Sequence, residues 1–109
     1  MNEIKFSPES TKDLLAIKTY ITDDLADDLA NVSAADTLIL QILDRIESLA
    51  QFPYSGTSLY HVIEIETDYR FIVCENYNIF YRFENDTVYI IRILYAKRDW
   101  LNILFGETK

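Results

Sequence analysis

The spacing of apolar residues changes once along this chain of 109 residues, in the segment 53–58. Before that segment, aliphatic residues recur every three or four positions, as they do on one face of a helix. After it, from 59 to 95, Ile, Val, Tyr and Phe dominate and alternate with polar residues, which is typical of half-buried strands. A helical half followed by a strand half predicts an α+β fold, with helices packed on one face of an antiparallel sheet.

The helical half contains two helices joined by a short acidic turn. Segment 7–9 (Ser-Pro-Glu) combines an N-cap, a first-turn proline and an acid at the positive helix end, so the first helix is predicted over about 8–26. Four aspartates crowd segment 23–31 and predict a turn. The second helix is predicted to start at a Ser33 cap and to stop at Phe52-Pro53. Its apolar stripe consists of Ala35, Leu38, Ile39, Ile42, Leu43, Ile46, Leu49 and Ala50.

The strand half is divided by short polar separators that suit tight antiparallel turns. The predicted strands are 2–6, Leu59–Glu66, Tyr69–Cys74, Tyr77–Phe83 and Thr87–Tyr95. A short C-terminal helix is predicted over Lys97–Phe105, ending at Gly106. We therefore expect a single domain over 1–109, with an antiparallel helix hairpin on an antiparallel sheet of four or five strands.

The charge of the chain is uneven along its length. The net charge is −8, and half of the residues are hydrophobic, which excludes a disordered chain. Residues 1–68 carry 4 basic and 13 acidic groups, whereas residues 69–109 carry 6 and 5. Proteins that bind polyanions such as nucleic acids are generally basic. Any contact with a polyanion is therefore expected to be confined to the C-terminal part.

The sequence predicts neither a metal site nor a membrane anchor. One cysteine, Cys74, and one histidine, His61, cannot supply four zinc ligands, and no apolar run approaches the ~20 residues of a membrane span. A lone cysteine and no signal-peptide pattern favour a cytoplasmic protein. We expect Cys74 to be a small core residue, His61 to be partly exposed without a catalytic role, and no cofactor.

Several motifs occur in an order and spacing that resemble the RelE/ParE superfamily, the toxins of bacterial type II toxin–antitoxin systems. The resemblance covers 4–105 and is closer to the ParE side. The matching segments are Phe6-Ser7-Pro8, Asp13-Leu14, Tyr20-Ile21, Leu49–Pro53 with Gly56, Tyr69-Arg70, Tyr77–Arg82 and Ile91–Trp100.

The resemblance implies a small cytoplasmic toxin that inhibits growth, acts in plasmid stabilisation and is silenced by a cognate antitoxin. ParE-like members poison DNA gyrase without catalysing a reaction, whereas RelE-like members cleave mRNA on the ribosome. A detoxified relative that only binds a partner is a third possibility. The oligomeric state implied is a homodimer or a toxin–antitoxin hetero-oligomer, and whether the chain is an enzyme stays open.

The resemblance also selects candidate site residues near the C-terminal end. A ribonuclease would use Arg98, Tyr95 and Arg70 as its catalytic group. The residues expected to bind a target or partner are Arg70, Tyr95, Lys97, Arg98 and Trp100. The overall acidic charge favours gyrase poisoning over mRNA cleavage. Asn78 also favours it, because ribonucleases of this superfamily carry an arginine at the matching position.

Physical arguments add expectations about the cations of this half. Lys97 and Arg98 would open a helix, where cations sit poorly, and such a conflict often marks a functional site. Arg82 and Arg92 are expected to pair across strands with Glu66, Glu75 or Glu84 on a solvated face. Most tyrosines are expected to pack in the sheet rather than to stack on bases.

Overall fold

The computed structural model describes residues 1–24 and 29–106, and the side chains of 1–19 and 34–106. The order of elements is β1 (Glu3–Phe6), α1 (Pro8–Asp24), α2 (Leu29–Gln51), β2 (Thr57–Ser58), α3 (Tyr60–Ile63), β3 (Arg70–Cys74), β4 (Tyr77–Glu84), β5 (Thr87–Tyr95) and α4 (Trp100–Phe105). The predicted α+β class is confirmed, including the short C-terminal helix.

The five strands form one sheet in the order β1-β5-β4-β3-β2. Four of them pair antiparallel, but β1 runs parallel to β5, with Glu3 opposite Thr87 and Phe6 opposite Ile90. The prediction of a wholly antiparallel sheet was therefore wrong, and the sheet is mixed. Period-two alternation identifies an extended segment but carries no information about the direction of its neighbour.

The main core lies between α1, α2 and one face of the sheet. The predicted stripe of α2 supplies buried residues at Ala35, Ile42, Ile46, Leu49 and Ala50. Ile90 and Ile93 both face this core although they are three residues apart. Tyr81 pairs with Ile90 and Phe80 pairs with Arg92, so Ile91 is an extra residue that shifts the alternation of β5.

A second, smaller hydrophobic layer covers the other face of the sheet. Its buried members are Leu59, Phe80 and Leu94, and partly buried residues of α3 and α4 pack against them. The prediction of a strand over Leu59–Glu66 was wrong. The carbonyl of Leu59 accepts hydrogen bonds from the backbone N–H groups of Val62 (3.0 Å) and Ile63 (3.1 Å), which closes a helical turn.

Two helix starts also differ from the sequence prediction. Helix α2 starts at Leu29, so Ser33 lies inside the helix and is not its cap, while segment 25–28 of the predicted acidic turn lies outside the described residues. Helix α4 starts at Trp100. Lys97 and Arg98 therefore lie in the turn before α4, and the predicted electrostatic conflict at a helix start does not arise.

Helix α1 is fixed to the edge of β5 by two polar side chains. Ser7 caps α1, as predicted, by accepting the backbone N–H of Ser10 at 3.0 Å, and its hydroxyl donates to the carbonyl of Ile91 at 2.7 Å. Asp13, which is 9% exposed, accepts the backbone N–H of Ile93 at 2.9 Å. Its two oxygens also accept Nε and Nη2 of Arg92, at 2.8 and 2.9 Å.

This pairing corrects the expected partners of the two strand arginines. Arg82 does pair with Glu84, at 3.0 Å, and also with Asp68, at 2.8 Å. Arg92 pairs with Asp13 of α1 instead of a carboxylate of the sheet. In the described part of the chain, β1 covers the outer side of β5 only as far as Ile90, and α1 lies beside the strand beyond that point. The hydrogen bonds to Asp13 raise the pKa of the Arg92 guanidinium above its ordinary value.

Replacing Asp13 by alanine would leave both the Arg92 guanidinium and the Ile93 N–H without their acceptor in a largely buried place. Removing one partner of a buried ion pair costs about 3–5 kcal/mol. We expect Asp13→Ala to lower the free energy of unfolding by an amount of this order, measured by urea denaturation at pH 7.

The matched control is Arg82→Met, which breaks an exposed ion pair and is expected to cost below about 1 kcal/mol. The double variant Asp13→Leu/Arg92→Met removes both charges and is expected to cost less than Asp13→Ala alone. Equal losses for Asp13→Ala and Arg82→Met would contradict the structural role assigned to Asp13.

Candidate partner-binding groove

A groove of about 620 Å³ lies between α1, α2 at Leu38, the β3–β4 turn and the end of β5. Its volume falls within the range of roughly 300–1,000 Å³ that is common for binding clefts. The residues that line it are Asp13, Ala16, Ile17, Leu38, Asn76, Tyr77, Ile93, Tyr95 and Arg98. Aliphatic side chains form most of the floor, and polar or aromatic side chains stand along the rim.

The rim of the groove carries one cation and a pair of tyrosines. The rings of Tyr77 and Tyr95 meet edge to face, with centroids 5.8 Å apart, and Tyr95 is 38% exposed. Arg98 is exposed and forms no salt bridge within the described part of the chain. Because Asp13 is already bonded to Arg92, Arg98 gives this rim a net positive charge.

The turn that carries Arg98 is held by backbone hydrogen bonds. The N–H of Arg98 donates to the carbonyl of Tyr95 at 3.0 Å, and the N–H of Ala96 donates to the carbonyl of Asn76 at 2.8 Å. The Arg98 bond closes the turn itself, and the Ala96 bond ties the end of β5 to the β3–β4 turn. The structure thus brings two predicted site residues, Tyr95 and Arg98, to the same groove.

Arg70 lies elsewhere on the molecule. Its Nη1 donates to the carbonyl of Gly56 at 2.8 Å, and its guanidinium lies 5.1 Å from the centroid of the Tyr54 ring. Arg70 pairs in the sheet with Tyr81, four residues along β4 from the Tyr77 end of the groove, which is about 13 Å. The structure does not bring Arg70 together with Tyr95 and Arg98.

The remaining two predicted site residues also lie outside the groove. Lys97 is exposed in the turn between β5 and α4. Trp100 belongs to the second hydrophobic layer, where its ring lies 5.5 Å from the ring of Phe80 on the opposite face of the sheet.

The loop residue Gly56, whose carbonyl binds Arg70, is itself held by the buried hydroxyl of Tyr81. This hydroxyl donates to the carbonyl of Pro53 at 2.8 Å and accepts the backbone N–H of Gly56 at 2.9 Å. A Cβ at position 56 would lie 2.5 Å from the same oxygen, so only glycine fits this close approach. Burial raises the pKa of Tyr81, which stays protonated and able to donate at neutral pH.

Sequence reasoning missed most of the groove residues. Asp13 was noted only as part of a family motif, yet it lies four residues before Ile17 on the face of α1 that packs on the sheet. A carboxylate at a core-facing helix position was the signal that could have identified it. The roles of Ala16 and Leu38 carried no such signal, since small and aliphatic residues are ordinary in a helix core.

Cys74 and His61 lie in the surroundings that the sequence predicts for them. Cys74 is buried in the core, and burial together with nearby Glu75 raises the pKa of its thiol. His61 is exposed in α3. Among the described residues no group of three metal-ligating side chains comes together. Within residues 1–24 and 29–106, no helix combines the length and hydropathy that a transmembrane span requires.

This fold also occurs in a solved structure of a bacterial toxin–antitoxin system. The chain is similar in structure to a chain of the chromosomal ParDE toxin–antitoxin system from P. aeruginosa, with a TM-score of 0.67 and 20% sequence identity, over 89% of this chain and 98% of the other. A comparison with curated proteins finds no match.

The family follows from the sequence itself. Residues 4–100 match the family model described as the ParE toxin of the type II toxin–antitoxin system parDE. The chain therefore belongs to the ParE toxin family.

Removing the Tyr81 hydroxyl would leave the Gly56 N–H and the Pro53 carbonyl without their partner. An unsatisfied buried polar group costs about 1–3 kcal/mol. We expect Tyr81→Phe to lower the free energy of unfolding at pH 7 by about 1–3 kcal/mol, measured by urea denaturation. Tyr89→Phe is the control, because the described part of the structure gives the Tyr89 hydroxyl no hydrogen bond.

The raised pKa of Tyr81 also predicts a pH dependence. Its pKa in the unfolded chain is about 10, below that of the folded chain, so the unfolded state loses this proton first. The contribution of Tyr81 is therefore complete below about pH 10 and falls as pH rises further. The stability difference between wild type and Tyr81→Phe should shrink above that pH, and a constant difference would contradict this account.

Proposed function

We propose that this chain is a ParE-type toxin that acts in the cytoplasm, inhibits growth by poisoning DNA gyrase, and is neutralised by a cognate antitoxin bound in the groove beside α1. In this proposal Arg98 pairs with a carboxylate of the antitoxin and Tyr95 packs against it. An apolar floor with few polar groups on its rim suits a side chain or short segment of another protein.

The observation that supports this binding site is that Arg98 has no carboxylate partner among the described residues. Arg82 and Arg92 already hold carboxylates of this chain, whereas Arg98 stands on the rim of an apolar groove without one among the described residues. A charged group at the edge of an apolar groove contributes to partner selection and binding.

The arrangement of the cations supports the non-catalytic mode over ribonuclease chemistry. RNA cleavage needs a proton-transfer group and cations gathered around one phosphate. Arg70 lies about 13 Å along β4 from the groove end, and its guanidinium is already bonded to the Gly56 carbonyl. The net charge of −8 also disfavours RNA as a primary ligand.

Arg98→Ala tests the antitoxin contact. The binding partner is the polypeptide encoded by the reading frame next to the gene of this chain, and its affinity is measured by calorimetry. Truncating an interface arginine that pairs with a carboxylate costs more than about 1.4 kcal/mol, so we expect affinity to fall by about tenfold or more.

Arg82→Ala is the matched control, because it removes an arginine that is already paired within the sheet. We expect Arg82→Ala to bind with nearly the wild-type affinity. If Arg98→Ala binds as tightly as wild type, Arg98 is not the contact, and if the wild-type chain does not bind this polypeptide at all, the antitoxin proposal fails.

The gyrase proposal is tested with purified components. Supercoiled plasmid, gyrase, ATP and the toxin are incubated, and protein is then removed by protease and detergent. We expect linear plasmid that depends on both gyrase and toxin and that disappears when the antitoxin is added in excess. Codon-specific cuts in mRNA in a translating extract, lost in Arg98→Ala, would instead support the ribonuclease function.

A further inference from the structure

The loop 52–56, which joins α2 to β2, presents two large aromatic side chains to solvent. Phe52 is 58% exposed and Tyr54 is 65% exposed, and a single residue separates them. Isolated exposed apolar residues are ordinary on a protein surface. Two exposed rings in one short loop form a patch, and its capacity to bind depends on how firmly the loop is held.

The backbone of this loop is fixed by hydrogen bonds. The N–H of Ser55 donates to the carbonyl of Phe52 at 3.1 Å, which closes a turn. The Tyr81 hydroxyl binds the carbonyl of Pro53 and the N–H of Gly56 from below. A buried polar group of the sheet thus holds a loop whose large side chains face solvent.

The ring of Tyr54 is also held in place. It meets the ring of Phe83 edge to face, with centroids 5.3 Å apart, and the Arg70 guanidinium lies 5.1 Å from its centroid. Tyr54 therefore loses little further conformational freedom on binding, and such preorganisation raises affinity. Tyrosine is also one of the residue types that most often dominate the binding energy of protein interfaces.

The loop lies far from the groove. The groove reaches β4 at Tyr77, whereas Tyr54 packs on Phe83, six residues farther along the same strand. At about 3.3 Å per residue, six residues span roughly 20 Å. A segment bound in the groove therefore does not need to contact the loop, and the two surfaces can serve different partners.

Acidic side chains surround the loop end of the molecule. Glu84 follows Phe83 in β4, and the N–H of Glu3 donates to the carbonyl of Asp86 in the next turn at 3.1 Å. Glu47 lies near the end of α2, whose last turn carries no basic residue to balance the partial negative charge of the helix end. All four carboxylates are exposed.

The two arginines near the loop do not cancel these charges. Arg70 is bonded to the Gly56 carbonyl, and Arg82 is paired with Asp68 and Glu84 at once. A polyanion such as DNA would be repelled here, whereas a surface that carries lysine or arginine would be attracted. Cationic side chains also stack favourably on the faces of Tyr and Phe rings. The patch therefore fits a basic protein surface.

We infer that the loop 52–56 is the surface by which this chain holds its target protein, with Phe52 and Tyr54 packed on an apolar patch that is flanked by basic side chains. This inference rests on the proposed function, in which the target is DNA gyrase. It assigns the two ends of β4 to different partners: the antitoxin binds at the groove end, and gyrase binds at the loop end.

The test compares Phe52→Ala with Leu40→Ala in binding to purified gyrase, measured by surface plasmon resonance. Both variants remove a large exposed side chain, since Leu40 of α2 is 66% exposed. Truncating an aromatic residue at the centre of an interface predicts about tenfold or more weaker binding for Phe52→Ala. We expect Leu40→Ala to bind gyrase with the wild-type affinity.

Binding to the polypeptide of the adjacent reading frame provides the control for folding. We expect Phe52→Ala to bind this antitoxin with the wild-type affinity, measured by calorimetry, because Phe52 lies outside the groove. A loss of antitoxin binding as large as the loss of gyrase binding would overturn the division into two surfaces.

Charge reversal provides a second comparison that leaves both rings in place. Glu47→Lys places a cation near the loop, whereas Glu75→Lys makes the same change in the β3–β4 turn, at the other end of β4; both side chains are exposed. Loss of one charge pair at the rim of an interface predicts about two- to fivefold weaker gyrase binding for Glu47→Lys. We expect no change for Glu75→Lys.

Equal gyrase affinities for Phe52→Ala and Leu40→Ala, or for Glu47→Lys and Glu75→Lys, would overturn the assignment of the loop while leaving the proposed function intact. If the wild-type chain neither binds gyrase nor yields gyrase-dependent linear plasmid, the gyrase proposal itself fails.

Discussion

The ion pair between Asp13 and Arg92 is the contact on which the arrangement of α1 against the sheet depends. It joins a helix to a strand 79 residues later, and the same carboxylate binds the backbone of Ile93. The carboxylate thus satisfies an N–H at a strand edge that no strand of the described residues covers, and it also lines the groove beside that edge. Without it α1 would be tied to β5 only at its first turn, through the Ser7 hydroxyl on the Ile91 carbonyl.

The two faces of the sheet have different roles because different elements cover them. The helix hairpin buries a continuous aliphatic core on one face, whereas α3 and α4 cover the other with a thinner aromatic layer. The groove opens where the hairpin leaves the end of β5. The predicted site residues of the C-terminal half are therefore divided: Arg98 lies at this groove, whereas Arg70 and Trp100 make contacts elsewhere.

The sequence predicted the secondary structure better than the site. Long apolar stripes identified α1 and α2, and alternation identified β3, β4 and β5. The segment 59–66 was misassigned because Leu59, His61, Ile63 and Ile65 satisfy a period of two, while only the tertiary layer reveals that Leu59 and Ile63 share one helical face. The meeting of Tyr95, Arg98 and Asp13 could not be predicted from spacing, since it depends on the parallel pairing of β1 and on a carboxylate far away in sequence.

The extra residue in β5 has a consequence for how the family can vary. Ile91 reverses the facing of every later residue of the strand, so that Ile93 enters the helix-side core and Leu94 the aromatic layer. Deleting the extra residue would make the pairs Tyr81–Ile90 and Phe80–Arg92 consecutive and would keep Ile93 and Leu94 on their present faces, at the cost of the carbonyl that accepts the Ser7 hydroxyl. The bulge is therefore the place in β5 where the strand can change its length by one residue without turning the residues that line the groove.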